Sequence, residues 1–222
     1  MCVTFITGKQ YFPMHFYRMN SHMQQHWDTI YRTKQPHEVS WTQEVPVTSL
    51  AFLHQLNTPK DARIIDIGGG DSTLVDHLLE EGYTDITVLD ISGAAIERAK
   101  KRLGARSERV KWIVGNILDF HAGQKYDLWH DRAAFHFQTT PEQIEAYLKV
   151  AQDSVCGHII VATFSTDGPK KCSGLEIKQY DENTLTRSFR QGGFEKIDCK
   201  REDHLTPSGS VQNFIFCSFR RN

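Results

Sequence analysis

"ARIIDIGGGDSTLVDHLLEEG" (residues 62–82) sets side by side an apolar run, three consecutive glycines bracketed by Asp66 and Asp71, and a run of helical spacing. "RIIDI" (63–67) reads as a strand and "STLVDHLLEEG" (72–82) as a helix stopped by Gly82. The glycines are therefore the turn from strand to helix. Glycine permits positive φ there and lets a ligand approach the backbone with no Cβ in the way.

The alternation continues outward from this turn. "DITVLD" (85–90) predicts a second strand and "SGAAIERAKKRLG" (92–104) a helix capped by Ser92 and ended by Gly104. "RVKWIVG" (109–115) and "KYDLWH" (125–130) predict the third and fourth strands. "TPEQIEAYLKVAQDSV" (140–155) is a helix with Thr140 as N-cap, Pro141 in its first turn and Gln143 at the capping-box position. "GHIIVATFS" (157–165) is nearly unbroken apolar, as a strand buried on both faces requires. A helix over 181–193 precedes strands over 194–204 and 210–221, whose "TPSG" turn makes them antiparallel neighbours. The fold class is a doubly wound α/β domain with helices on both faces of a mostly parallel sheet and an antiparallel edge. Residues 1–23 read as an N-terminal extension, 24–57 as a helical cap across the mouth of the sheet, and 58–222 as the core.

Composition narrows the function classes. Twenty-six Lys and Arg against 27 Asp and Glu supply no charge argument for nucleic acid or an anionic membrane. The most basic stretch, "ERAKKRLGARSER" (97–109), reads as a solvated helix face with pairs such as Glu97 and Lys101. No apolar run is long enough to span a bilayer, and the opening residues do not read as a signal peptide. Five scattered cysteines form neither a disulfide framework nor a metal pair, so a cytoplasmic setting and no metal are expected, with Cys199 and Cys217 as small buried side chains.

The glycine turn has neither the third spaced glycine of a dinucleotide site nor the Gly-Lys-Ser/Thr of a phosphate loop. Acids at 66 and 71 repel phosphate and suit a cationic or zwitterionic ligand. Asp90 ends the second strand 20 residues after Gly70, where a carboxylate can accept both hydrogen bonds of a ribose diol. Together these features describe a nucleoside-bearing cofactor without phosphates, S-adenosyl-L-methionine.

"IIDIGGGDSTL", "ITVLDIS" with "AIERAKKR", and "VKWIVGNILDF" resemble, in order and spacing, the successive motifs of the class I S-adenosylmethionine-dependent methyltransferases, as a small single-domain bacterial-type member. The resemblance runs from about Gln24 to Arg221. It implies a seven-stranded sheet of order 3-2-1-4-5-7-6 with strand 7 antiparallel. It also implies that Asp66, Gly68, Gly69 and Gly70, with Ser72 and Thr73 at the helix start, line the methionine and sugar. Asp90 would hold the ribose diol, Ile91 would touch the adenine, and Asn116 with Ile117 would border the ring's other side. Asn116 stands where the family usually has an acid. Trp41, with Trp27 and Tyr31, resembles the N-terminal cofactor cover of small methyltransferases.

"YDLWHDRAAFHFQTTPEQ" (126–143) carries most of the remaining chemistry, since it follows the fourth strand and emerges at the same crevice. His130 and His136 are candidate bases or structural histidines. Asp131 is a candidate to orient the methionine ammonium or a substrate cation. Arg132 either neutralises Asp131 or binds an anionic acceptor, and Phe135 and Phe137 either wall the acceptor site or pack beneath it. By the resemblance, His130 also contacts the methionine moiety. The long stretch 164–181 is placed to close the acceptor side and exclude water. The expected activity is methyl transfer to a small-molecule acceptor by a monomer or homodimer with no nucleic-acid or membrane partner. A protein lysine or N-terminal methyltransferase and an inactive cofactor-binding domain are the alternatives.

Overall fold

The computed structural model describes residues 14–222, with side chains from residue 21 onward. Residues 1–13 of the expected extension lie outside the described residues. Helix α1 (Met14–Thr33) runs unbroken across the boundary expected at residue 23. A 3-10 turn (Pro36–Glu38) leads to α2 (Val47–Gln55), whose Leu50, Phe52 and Leu53 are buried in the core against the sheet.

The core then alternates as β1 (Arg63–Ile67), α3 (Leu74–Glu80), β2 (Asp85–Asp90), α4 (Gly93–Leu103), β3 (Val110–Val114), β4 (Tyr126–Arg132), α5 (Pro141–Ser154) and β5 (Val155–Phe164). Helix α6 (Glu182–Gln191), β6 (Phe194–Leu205) and β7 (Val211–Arg221) close the chain. The capping chemistry is as the sequence predicts: Ser92 Oγ accepts from Ala95 N, and Thr140 and Gln143 form a reciprocal box at α5. The sheet order is β3-β2-β1-β4-β5-β7-β6. Strands β1 to β5 are parallel, and β7 runs antiparallel to both neighbours.

Strand alternation divides the interior into two cores. Ile64, Val88, Leu128 and Ile160 face Leu53, Leu74 and Leu78 of α2 and α3. Ile65, Trp129, Ile159 and Val161 face Tyr147, Ala151 and Phe189 of α5 and α6. The sheet's central strands are thus covered on both sides.

Two expectations are corrected. Cys199 and Cys217 are a disulfide, because the β6–β7 register sets them directly opposite one another with Cα atoms 4.1 Å apart. Their separation of 18 residues does not reveal this until the register is known. The stretch 164–181 is not all loop, since Lys171–Cys172 pairs with Leu175–Glu176 in a short hairpin. Among the described residues no helix is long and apolar enough to cross a membrane.

A buried relay ties β4 to α5. Trp129 Nε1 donates to Tyr147 Oη at 2.9 Å, and Tyr147 Oη donates to Asp131 Oδ2 at 2.5 Å. Tyr147→Phe would strand the indole N–H and remove a donor from Asp131. The expected loss is about 2 to 3 kcal/mol in urea unfolding, with an unchanged m value.

Candidate active site

A cavity of about 330 Å³ lies beyond the carboxyl ends of β1, β2 and β4, within the size range of ligand pockets. The strand order reverses here between β1 and β4, so the loops leaving these strands diverge and open a crevice. Of the residues expected at the cofactor site, Trp41, Asp66, Gly68, Gly69, Ser72, Thr73, Asp90, Ile91, Asn116, Ile117 and His130 all line it. Gly70 does not, but its N–H donates to Asp90 Oδ2 at 2.9 Å.

Asp66 is the deepest polar group. Its Oδ1 lies 2.7 Å from His130 Nδ1, and His130 Nε2 lies 2.9 Å from Ser49 Oγ on α2. An ionised carboxylate can only accept, so Nδ1 carries the proton. The second oxygen, Oδ2, is buried and has no partner. A Cβ on Gly69 would be driven into this carboxyl group, 2.6 Å from its carbon. At Gly68 the φ of +66° favours glycine, and a Cβ there would meet that of Ala134 at 2.9 Å. The glycines thus leave bare backbone beside an unpaired carboxylate oxygen.

Asp90 is also buried. Burial pushes its carboxyl up to about 7; the N–H groups of Ser92 and Gly70 oppose this, and the charges of Asp66 and Asp28 add to it. Each oxygen takes one backbone donor, Oδ1 from Ser92 at 2.7 Å and Oδ2 from Gly70 at 2.9 Å. A carboxylate has about four acceptor positions, so each oxygen retains room for one more donor. Asn116 Oδ1 accepts from Leu118 N at 3.0 Å and thereby fixes the turn after β3.

Strand β4 extends two residues beyond its expected end, and this separates neighbours in sequence. His130 and Arg132 point to the cavity side, whereas Asp131 points to the opposite face. There Asp131 takes Tyr147 Oη, Ala134 N and Phe135 N, and burial raises its carboxyl to about 6 despite these donors. It pins the turn at Ala133, whose φ is +75°, and does not reach the cavity. His136 is likewise outside the lining. It is fully buried against Phe137 and Phe164 and accepts from Phe164 N at 3.4 Å. Burial and the charge of Arg132 hold its ring down to about 3, so it is neutral. Phe137 lines the cavity, and Phe135 packs beneath it.

The expected repulsive role of Asp71 is also corrected. Arg98 and Arg102 neutralise it, at 3.1 and 2.5 Å. Arg102 of α4 and Arg106 of the turn after it also pair with Asp76, and Glu97 pairs at the surface with Lys100 in place of the expected Lys101. Arg98 also donates to the carbonyl oxygens of Tyr31 and Lys34, which fastens the end of α1 over the cavity. Asp28 of α1 accepts from Ser92 Oγ and Ala94 N, a second tie between cap and core. Trp27 then meets Trp41 and Phe137 edge to face, with ring centroids 5.7 and 5.3 Å apart. Sequence reasoning missed Ser49 and the clamp of Arg98. Nothing local marks Ser49, while the periodicity of α4 puts Arg98 on a polar face that only the cap reveals as covered.

Residues 64–155 match the family model described as a methyltransferase domain. A malonyl-[acyl-carrier protein] O-methyltransferase of Anoxybacillus flavithermus is 33% identical over 103 residues, 46% of this chain and 38% of that protein. The chain therefore aligns with well under half of that curated relative's length. Among solved structures, the 1,6-didemethyltoxoflavin-N1-methyltransferase of Burkholderia thailandensis, with bound S-adenosylhomocysteine, superposes with a TM-score of 0.68 at 17% identity, over 98% of this chain and 93% of that one. A structure from work on the conversion of a disulfide bond into a thioacetal group during echinomycin biosynthesis gives 0.72 at 19% identity, over 90% and 93%. Sheet order, glycine turn and the matched domain together identify this chain as a carrier of the class I S-adenosylmethionine-dependent methyltransferase fold.

Proposed function

We propose that the chain is a methyltransferase that moves a methyl group from S-adenosylmethionine to a small-molecule acceptor. The observation that carries this reading is the pair of carboxylates across the glycine turn, Asp66 with an unpaired oxygen and Asp90 with spare acceptor capacity, both in the wall of one cavity. Asp66 Oδ2 would take the ammonium of the methionine moiety, and Asp90 the ribose diol. Bare backbone at Gly68 and Gly69 would admit the ligand, and Ile91, Asn116 and Ile117 would border the adenine. When bound, the cofactor supplies an electrophilic methyl group on a sulfonium.

The chain's own contribution is to bind, orient and exclude water. His130 is a positioning residue in this reading, because both ring nitrogens are engaged and its effect passes through Asp66. Asp131 holds the β4 turn, and no catalytic step is assigned to it or to His136. An acceptor held in line with the methyl group gains much of its rate from position alone. Trp27, Tyr31 and Trp41 give the cavity an aromatic wall, which limits the water beside a bound ligand. The relatives named above act on an oxygen and a nitrogen acceptor, and a small molecule is the part carried over to this chain. A monomer or homodimer acting without nucleic acid belongs to the same proposal; the Cys199–Cys217 disulfide removes the cysteine argument for a cytoplasmic setting.

Methyl-labelled S-adenosylmethionine incubated with the purified chain and a panel of carboxylates, amines and thiols should give a labelled product and an equal amount of S-adenosylhomocysteine. Absence of adenosyl binding in calorimetry would overturn the reading. Gly69→Ala should weaken S-adenosylhomocysteine about ten- to a hundredfold, from about 1 to 3 kcal/mol of overpacking, in a chain whose circular dichroism is unchanged. The ribose diol donates to the ionised form of Asp90, so affinity should be lower at pH 6 and rise about tenfold by pH 8 as the carboxyl ionises. Asp90→Asn should remove that slope and lower the affinity throughout.

A further inference from the structure

Arg132 carries a buried charge that Glu202 and Asp66 attract but that no carboxylate among the described residues meets at ion-pair distance. Its Nη1 donates to Trp41 O at 2.9 Å, and its guanidinium lies 4.9 Å from the centroid of Phe214, so one edge and one face of the plane are fixed. The other edge, Nε with Nη2, is buried without a hydrogen-bond partner. Burial depresses this guanidinium to about 10, yet it stays charged at neutral pH. Asp131, its neighbour in sequence, is on the far side of the strand. Asp66 has given one oxygen to His130. Cys172 is close enough to feel the charge, but burial raises its thiol to about 11, so it is no counter-ion. Glu202 on β6 is the remaining acid facing Arg132. It attracts the guanidinium without reaching ion-pair distance; its Oε1 takes Gln43 Nε2 at 3.4 Å, and its Oε2 is buried without a partner.

The Nε and Nη2 edge of an arginine presents two parallel N–H groups, the spacing that matches the two oxygens of a carboxylate. Arg132 lies in the wall of the cavity, which Trp41, Phe137, Cys172 and Leu175 line with largely apolar surface. Resting on the methyltransferase reading for the neighbouring cofactor space, we propose that the acceptor is an organic carboxylate whose two oxygens pair with Nε and Nη2 of Arg132 while its body packs on Trp27 and Phe137. Glu202 competes for the same charge and sets the strength of this pairing.

Benzoate titrated into the full chain should quench the fluorescence of Trp27 and Trp41 saturably, and benzamide, its neutral counterpart, should bind about tenfold more weakly or less. Arg132→Gln should weaken benzoate by about tenfold or more, with S-adenosylhomocysteine affinity measured in parallel. Glu202→Gln should tighten benzoate, an effect that a purely structural Arg132 would not produce. If Arg132→Gln fails to fold, Arg132→Lys in the Glu202→Gln background keeps the charge, removes the fork and should still lose affinity relative to Glu202→Gln alone. Equal binding of benzamide, no saturable quenching by benzoate, or unchanged benzoate affinity in the Arg132 variants would overturn the proposal. Benzoate binding through Arg132 in a chain that ignores S-adenosylhomocysteine would leave the anion site standing and remove the methyltransferase reading. The converse pattern would do the opposite.

Discussion

A carboxylate kept out of water with only one of its oxygens satisfied is the constraint around which this site is built. Asp66 sits at the end of a central strand, and His130 from the adjacent strand holds one oxygen while Ser49 from α2 holds the histidine. The other oxygen faces the glycine turn without a partner. Burying an unpaired charge is costly, and in the proposed function a ligand cation offsets that cost. Two neighbouring elements, α2 and β1, and the distant β4 must be in register to hold that geometry. The parallel sheet and its two apolar cores supply that rigidity.

Strand parity does the rest of the sorting. Along β4, consecutive side chains go to opposite faces, so His130 and Arg132 serve the cavity while Asp131 serves the joint with α5. Asp131 is nevertheless indirectly important, because its two backbone acceptances shape the turn that brings Ala134 beside Gly68. On the opposite side, α1 is fastened by Asp28 and Arg98 to α4, the helix that follows the strand ending in Asp90. Helix α1 and the cavity wall are thereby linked through one element.

Much of the architecture was legible because its signals are local. Apolar runs, Ser92 and Thr140 caps and the glycine turn each announce themselves over a few residues, and the order of the sheet followed from the resemblance those motifs carry. The site residues contributed by strand ends and the glycine turn were legible for the same reason. What escaped depends on register or on distant partners. The disulfide needed Cys199 and Cys217 to fall opposite one another, the fate of Asp131 needed β4 to continue past His130, and the burial of His136 needed Phe164 of β5 behind it. Arg98 looked solvated until α1 was laid over it. None of these is encoded in the spacing of neighbouring residues.

The role of the free oxygen of Asp66 can be isolated by comparing two ligands that share adenosine and sulfur but differ in the amino-acid group. Calorimetry of S-adenosylhomocysteine and 5'-methylthioadenosine with the unmodified chain should give a large affinity gap in favour of the former, and Asp66→Asn should close most of that gap while leaving methylthioadenosine little changed. A gap that survives Asp66→Asn intact would contradict the assignment of the ammonium to this carboxylate and, with it, the account of the site.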